Sequence, residues 1–152
     1  MKMKGYAIKE APERSAIARV KEANISMKDS VNVAHYLRGK SLSRAKEILE
    51  GVVNKTHPVP YFRYLDSVSH RKGKVGPGRY PVRAAKAFQD LIGNAEANAE
   101  FKSLDADNLK IVHIAASKGR MVKKYTPKAY GRAGANFKDL VNLEVVVKEE
   151  SE

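Results

Sequence analysis

The sequence of 152 residues lacks cysteine and tryptophan entirely. Without cysteine, the chain can form neither disulfide bonds nor thiolate metal sites, and a cysteine nucleophile is excluded. No apolar run approaches the length of a membrane span, and residues 1–6 lack the apolar segment of a signal peptide. We therefore expect a cytoplasmic protein with no membrane partner. Hydrophobic residues make up 43% of the chain, which is enough for a modest core in one domain over residues 1–152.

Acidic residues are too few to balance the basic ones. Asp and Glu number 17 against 29 Lys and Arg, which gives a formal net charge of +12. A soluble protein with this balance usually binds a polyanion, most often a nucleic acid. A membrane surface is the competing explanation, but neither a basic amphipathic helix nor a lipidation signal is evident.

Residues that could support catalysis are sparse. The four histidines, His35, His57, His70 and His113, do not have the spacing of metal ligands. The glycine-rich run 72–78 lacks the Lys-Ser/Thr ending of a phosphate-binding loop, and no Gly-x-Ser-x-Gly motif is present. We therefore expect no enzyme, no metal and no cofactor. An RNA-modifying enzyme would need a catalytic group that the sequence does not show.

Hydrophobic periodicity predicts three helices. Ser26 and Asp29 form a variant capping box before the first helix, which ends at Gly39. Ser41 caps the second helix. Pro81 lies in the first turn of the third helix, which runs to about Phe101. The predicted apolar stripes are Met27, Val31, Ala34 and Leu37, then Leu42, Ala45, Leu49 and Val52, and finally Ala84, Phe88, Leu91, Ala95 and Ala99.

The first two helices form a close pair through the turn at residues 38–41. Such a pair could read a DNA groove, but an ordinary antiparallel helix pair is more common. A free-standing nucleic-acid-binding factor that uses this pair is the alternative function.

Strand patterns flank these helices. Alternating residues predict a strand over 15–23, in which Ala16, Ala18 and Val20 share one face, and β-branched residues predict strands over 109–116 and 143–148. Residues 1–14 are interpreted as an N-terminal arm and 149–152 as a solvated acidic tail.

The segment 55–80 shows no periodicity. Prolines and glycines interrupt it, and Asp66 is its one acid. The basic side chains that we expect to bind a polyanion here are Arg63, Arg71, Lys72, Lys74 and Arg79. A structureless segment of this length is unusual in a compact domain unless it is functional, so we interpret it as a loop that a polyanion orders.

The stretch between Asn108 and Lys138 contains no acidic residue. Its flanking strands should pair, which predicts an extended β-hairpin over 108–148. An arm of about 15 residues spans roughly 50 Å, whereas a body of about 110 residues has a radius of gyration near 13 Å, so the distal half must project. The alternative is a solvated charge run in a disordered loop. The cations in this stretch are Lys110, Lys118, Arg120, Lys123, Lys124, Lys128, Arg132 and Lys138.

Three features of the hairpin favour RNA as its ligand. Tyr125 and Tyr130 lie between the cations, as rings that stack on bases do. Gly131 and Gly134 allow close approach of the backbone to a phosphate. The small residues Ala129 and Ala133 keep the tip slim.

Three motifs in order resemble those of a known family. They are Arg38-Gly-Lys-Ser41, Asn94-Ala-Glu-Ala-Asn98 and Pro127-Lys-Ala-Tyr-Gly-Arg-Ala133, and the likeness covers nearly the whole chain. They resemble the universal large-subunit ribosomal protein family L twenty-two (L seventeen in eukaryotes). The resemblance implies an α+β fold: three helices packed on a small three-stranded antiparallel sheet, with a long protruding β-hairpin. The length and basic character of 57–80 are typical of the archaeal and eukaryotic branch, and the short tail favours the archaeal one.

The resemblance also implies a function without catalysis. The chain would be a structural constituent of the large ribosomal subunit, with large-subunit rRNA, neighbouring ribosomal proteins and, at the hairpin tip, the nascent polypeptide as partners. The residues expected to bind rRNA are Arg38, Lys40, Arg63, Arg71, Lys72, Lys74, Arg79, Lys118, Arg120, Lys123, Lys124, Tyr125, Lys128, Tyr130 and Arg132. Those expected to line the polypeptide exit tunnel are Pro127, Ala129, Gly131 and Ala133.

Overall fold

The computed structural model describes residues 6–8, 10 and 12–150. Within these residues it contains three helices and eight strands, in the order β1 (Ser15–Ala23), α1 (Met27–Leu37), α2 (Leu42–Val53), β2 (Val59–Pro60), β3 (His70–Arg71), β4 (Gly76–Arg79), α3 (Val82–Phe101), β5 (Leu109–Val122), β6 (Tyr125–Pro127), β7 (Ala133–Ala135) and β8 (Lys138–Glu149).

An antiparallel sheet with strand order β1-β8-β5 forms the base of the fold. All three helices pack against this sheet, and the expected α+β architecture is confirmed. β8 is the central strand, and its residues from Leu143 to Val147 are all buried, including Glu144. Residues from the N-terminal segment lie against it, since the backbone N–H of Ala7 donates to the Glu144 carboxylate at 3.0 Å. The rest of the predicted arm, residues 1–5, 9 and 11, lies outside the described residues.

The predicted stripes of α2 and α3 are buried throughout. Leu42, Ala45, Leu49 and Val52 are joined by Ile48, and the α3 stripe is joined by Ala85 and Ile92. Pro81 lies one position earlier than expected, at the N-cap, because α3 begins at Val82.

The buried face of α1 is rotated from the predicted one. Ser26 caps the helix as expected, accepting from the backbone N–H of Asp29 at 3.3 Å, and Gly39 follows it with a positive φ of 77°. Val31, however, is only half-buried, whereas Asn32 and Val33 are buried. The reason is that the buried face includes polar groups, above all the Asn32 amide, which a search for apolar residues misses.

The segment 55–80 is not structureless, so that prediction is wrong. It folds into a second small sheet with strand order β2-β4-β3. Val59 and Tyr61 are buried at 1% and 4% exposure and join the main core. Contacts within the protein therefore hold this segment against the body. That a polyanion binds it stays a prediction. Strands of two to four residues are too short for periodicity to reveal them.

The hairpin is present and long. β5 pairs with β8 from Leu109↔Glu149 to Val122↔Lys138, and β6 and β7 continue the ribbon to Pro127↔Ala133. Tyr130 and Gly131 form the reversal with positive φ values of 56° and 67°, the pattern of a type I′ turn. The backbone N–H of Lys128 donates to the carbonyl of Arg132 at 2.8 Å and closes the tip.

The acidic tail begins later than predicted. Glu149 belongs to β8 and forms an ion pair of 2.7 Å with Arg14, and Glu150 pairs with Lys110 at 2.7 Å. Glu149 therefore belongs to the sheet, whereas Glu150 follows the strand and is exposed, as expected of the tail. Residues 151–152 lie outside the described residues.

Candidate nucleic-acid interface

The distal hairpin carries cations without compensating acids. Every residue from Lys123 to Ala133 is exposed. Among the described residues, no carboxylate lies within 4.0 Å of the basic groups of this part, which are Lys123, Lys124, Lys128, Arg132 and Lys138. Positive charge that is exposed and uncompensated attracts phosphates and releases counterions when they bind.

The root of the hairpin, where Lys118 and Arg120 lie, differs from the tip because its cations have acidic partners. Lys118 forms an ion pair with Asp139 at 3.0 Å, and Arg120 lies 3.4 Å from a carboxylate oxygen of Glu22. Both cations are mostly exposed, so they can still reach a phosphate, but each already has a counter-charge. The charge of the ribbon is thus concentrated toward its tip.

Aromatic rings lie beside the tip cations. Tyr130 is 95% exposed at the turn, and Tyr125 is 64% exposed. Phe137, which the sequence reasoning missed, meets Tyr125 edge to face with ring centroids 5.6 Å apart. Its position follows from the strand pairing, which brings residues 125 and 135 opposite each other. These rings provide surfaces on which unpaired bases can stack.

The two glycines of the tip, Gly131 and Gly134, have different surroundings. Gly131 needs its positive φ, and the space where a Cβ would be is open. At Gly134 a Cβ would lie 2.7 Å from Cε of Lys128, near the flexible end of that side chain. The close approach of a phosphate at Gly131 and Gly134 stays a prediction.

The cations of the turn between α1 and α2 lie at the sheet. Nη2 of Arg38 donates to the carbonyl of Ile114 at 3.3 Å, and Nζ of Lys40 lies 4.9 Å from the centre of the Tyr36 ring. The turn itself is bonded to β5, because the N–H of Gly39 donates to Ile111 and the N–H of Ile111 donates to Lys40. Arg38 is exposed at this fixed position.

The exposed face of α2 argues against DNA reading by the helix pair. It carries Glu47 and Glu50, and the guanidinium of Arg44 is paired with Glu47 at 2.6 Å. Carboxylates on the face that would enter a groove repel phosphates.

Several cations of 55–80 also hold their own segment together. Nε of Arg71 donates to Gly78 at 2.9 Å while its guanidinium lies over the Tyr80 ring, and Arg79 donates to Ser67 at 3.1 Å. Arg63 lies over the ring of Tyr64, and Lys72 and Lys74 are exposed. Arg63 and Arg38, which is 25 positions earlier, line the same cleft, together with His35 and Phe62.

Other side-chain groups of the described residues do not indicate a different kind of site. In the described part of the chain, no group of three or more His, Asp or Glu side chains is placed to hold a metal ion. No described helix is long and apolar enough to cross a membrane. Tyr61 is the one described group with a clear pKa shift: burial and the hydrogen bond to Asp29 raise the pKa of its hydroxyl well above the ordinary value, but it lies in the core.

A family model described as "Ribosomal protein L22p/L17e" matches residues 18–148. The chain belongs to this family. It is 70% identical over 150 residues to the large ribosomal subunit protein uL22 of Thermoplasma acidophilum, with 99% of this chain and 98% of the relative covered. The corresponding protein of Picrophilus torridus is 69% identical, with 99% of each chain covered, and that of Ignicoccus hospitalis is 46% identical, with 91% and 90% covered. The expectation of an archaeal-type member of the L22p/L17e family is confirmed.

Two motif residues of α3 have structural contacts in this member of the L22p/L17e family. Asn98 donates from Nδ2 to the carbonyl of Ile17 at 2.9 Å. Glu96 accepts from Nζ of Lys46 at 2.6 Å and so links α3 to α2. The Asn98 contact joins α3 to β1 of the main sheet, and the Glu96 contact joins α3 to α2.

Proposed function

We propose that this chain is a structural constituent of the large ribosomal subunit and binds large-subunit rRNA chiefly through its hairpin. The observation that carries the proposal is the exposed distal ribbon, where five cations without acid partners lie beside Tyr125 and Tyr130. A two-stranded ribbon with no core at its tip is marginal in water, so a ligand that supplies counter-charge and packing suits it. The relatives' shared name, large ribosomal subunit protein, supports this assignment.

The body would supply a second set of rRNA contacts. Its cations would be Arg38 and Lys40 on the α1–α2 turn and Lys72 and Lys74 in the turn between β3 and β4; Lys40 is half-buried and the other three are exposed. Arg63 would contribute too, and Arg71 and Arg79 would do so while they also bond to the backbone of Gly78 and Ser67. Neighbouring ribosomal proteins would cover other parts of the body, and the chain would act in the cytoplasm, within the ribosome, without catalysing a reaction.

The hairpin tip would line the polypeptide exit tunnel and meet the nascent polypeptide there. Pro127, Ala129, Gly131 and Ala133 are all exposed, and three of them have small side chains, so the tip is narrow. The cations on either side would hold the ribbon on rRNA, and these small residues would face the passage.

The test is a double substitution, K123A/K124A, in the full chain. Binding to transcribed large-subunit rRNA of Thermoplasma acidophilum should weaken, and the log–log slope of affinity against salt should fall by about 0.7 to 0.9 for each phosphate that is no longer neutralised. The matched control is K21A/K86A, which removes the same charge from two exposed body positions. Equal effects of the two variants, or no rRNA binding by the unsubstituted chain, would refute the proposed role of the hairpin.

A further inference from the structure

A small cleft lies between α1 and the edge strand β5, away from the hairpin tip. It encloses about 240 Å³, and its floor is apolar, formed by Ala34, Ile114 and Ala115. One wall is the aromatic pair of His35 and Phe62, whose ring centroids are 3.9 Å apart. This volume is below the roughly 300–1,000 Å³ of sites for drug-sized ligands, so the cleft suits one planar ring system.

Phe62 is exposed in this wall because the backbone around it is fixed. The buried Asn32 accepts through Oδ1 from the N–H groups of Phe62 and Arg63 at 3.0 and 3.2 Å, and donates through Nδ2 to the carbonyl of Arg63 at 3.2 Å. The preceding residue, Tyr61, is buried and bonded to Asp29 at 2.5 Å. With its neighbours anchored in this way, Phe62 keeps 44% of its surface in solvent. A large apolar ring held outward at a fixed position is ready to stack on a ligand.

The rim of the cleft is positively charged. Arg38 and Arg63 both line it, and among the described lining residues none is acidic. One guanidinium nitrogen of Arg38 donates to the carbonyl of Ile114, and no acceptor among the described residues takes the other guanidinium N–H groups, which can therefore reach a ligand at the rim. β5 is an edge strand, so alternate residues direct backbone N–H and C=O groups away from β8 toward this side.

We infer that this cleft binds a single unstacked nucleobase of rRNA, with the phosphates on either side of it at Arg38 and Arg63. Bases splayed from a helix are recognised by stacking on aromatic rings and by hydrogen bonds to their edges, and this cleft offers both. The charge of the rim decides between occupants: an apolar side chain of a neighbouring protein would fit the floor but would gain nothing from two arginines. The inference rests on the proposed rRNA binding and assigns it a subsite on the body.

The experiment substitutes Phe62 in the full chain and measures affinity for the same rRNA transcript at several salt concentrations. F62A and F62L should each weaken binding by about fivefold or more, while F62Y should retain it, because a Tyr ring stacks and a Leu side chain does not. The salt slope should stay unchanged in all three, since every cation that meets a phosphate is retained. F101A is the matched control, because Phe101 is 91% exposed and lies outside the cleft; it should bind as the unsubstituted chain does. Denaturation curves establish that each variant is folded.

Ultraviolet crosslinking identifies the occupant. After irradiation of the rRNA complex and nuclease digestion, mass spectrometry should find a nucleotide adduct on the peptides that carry His35 or Phe62. The inference is overturned if F62A binds like F101A, if F62L binds like the unsubstituted chain, or if adducts form only on hairpin peptides. In assembled subunits, a crosslink from this cleft to a protein instead of a nucleotide would also overturn it. These outcomes differ from failure of the proposed function, in which the unsubstituted chain itself does not bind the transcript.

Discussion

The side-chain amide of Asn98 donates a hydrogen bond of 2.9 Å to the main-chain carbonyl of Ile17. Nζ of Lys102, the C-cap residue of α3, donates to the carbonyl of Ser15 at 2.8 Å. Ser15 and Ile17 are alternate residues of β1, an outer strand of the main sheet. The end of α3 therefore satisfies backbone groups at a strand edge that would otherwise be available to another chain.

Replacing Asn98 with Ala should lower the free energy of unfolding by about 1 kcal/mol, because one hydrogen bond is removed and the Ile17 carbonyl can still reach water. Chemical denaturation measures this change. N94A is the control, since Asn94 is exposed on the same helix and gains the same helix propensity. Equal stability of the two variants would show that the bond contributes nothing.

Replacing Asn32 with Ala should be more damaging, at about 2–3 kcal/mol. Asn32 is fully buried, and its removal leaves the N–H groups of Phe62 and Arg63 without their acceptor. Denaturant midpoints measure the stability, and amide exchange at Phe62 and Arg63 should accelerate selectively. If these two amides remain protected, then contacts other than those of Asn32 hold the segment.

Tyr61 should make stability fall in alkaline solution. Burial and the bond to Asp29 raise the pKa of its hydroxyl in the folded chain. Above about pH 10 the unfolded chain loses this proton while the folded chain keeps it, so the free energy of unfolding should fall by up to about 1.4 kcal/mol per pH unit. Below pH 9 there should be no such dependence. The difference between the unsubstituted chain and Y61F, followed from pH 8 to 11, isolates this residue; a constant difference would contradict the prediction.

The root and the tip of the hairpin should differ in their effect on RNA affinity. K118A/R120A and K123A/K124A each remove two positive charges, but Lys118 and Arg120 already lie beside Asp139 and Glu22. The root variant should therefore lose less affinity for the rRNA transcript and change the salt slope less. A larger loss at the root would mean that its ion pairs open to release both cations to phosphate.

Amide exchange on the isolated chain should separate the ribbon from the body. Residues 125–135, all exposed except the half-buried Gly134, are paired only across a narrow ribbon, so their amides should exchange quickly. Those of Leu143 to Val147 in the central strand should be well protected. Adding rRNA should slow exchange at the tip. Uniform protection of the free chain would instead indicate that the ribbon packs on the body.

The sequence predicted the parts of the fold in which one signal dominates. Every residue of the predicted stripes of α2 and α3 is buried, although Ile48, Ala85 and Ile92 were not included in them. The absence of acidic residues marked the hairpin. The prediction of the buried face of α1 was wrong because Ser30 and Asn32 are buried and form hydrogen bonds, and hydrophobic periodicity does not reveal buried polar residues. The small sheet was not predicted because two-residue strands such as Val59–Pro60 have no detectable period.

The candidate site was predictable in its charges and less so in its arrangement. Counting cations indicated the ribbon, but the partner of Arg120 is Glu22, far earlier in the chain, and only the folded sheet brings them together. Similarly, no pattern in the sequence marked Phe62 as a functional residue. Its exposure depends on Asn32, which fixes the backbone on either side of it.

The course of β8 has a mechanical consequence. The same strand forms one arm of the projecting ribbon and the buried centre of the body sheet, with β1 on one side and β5 on the other. A pull on the tip along the ribbon would move β5 and β8 together, so it would load the hydrogen bonds between β8 and β1 in shear, where many bonds resist together. The projecting ribbon is therefore anchored in the buried central strand of the main sheet.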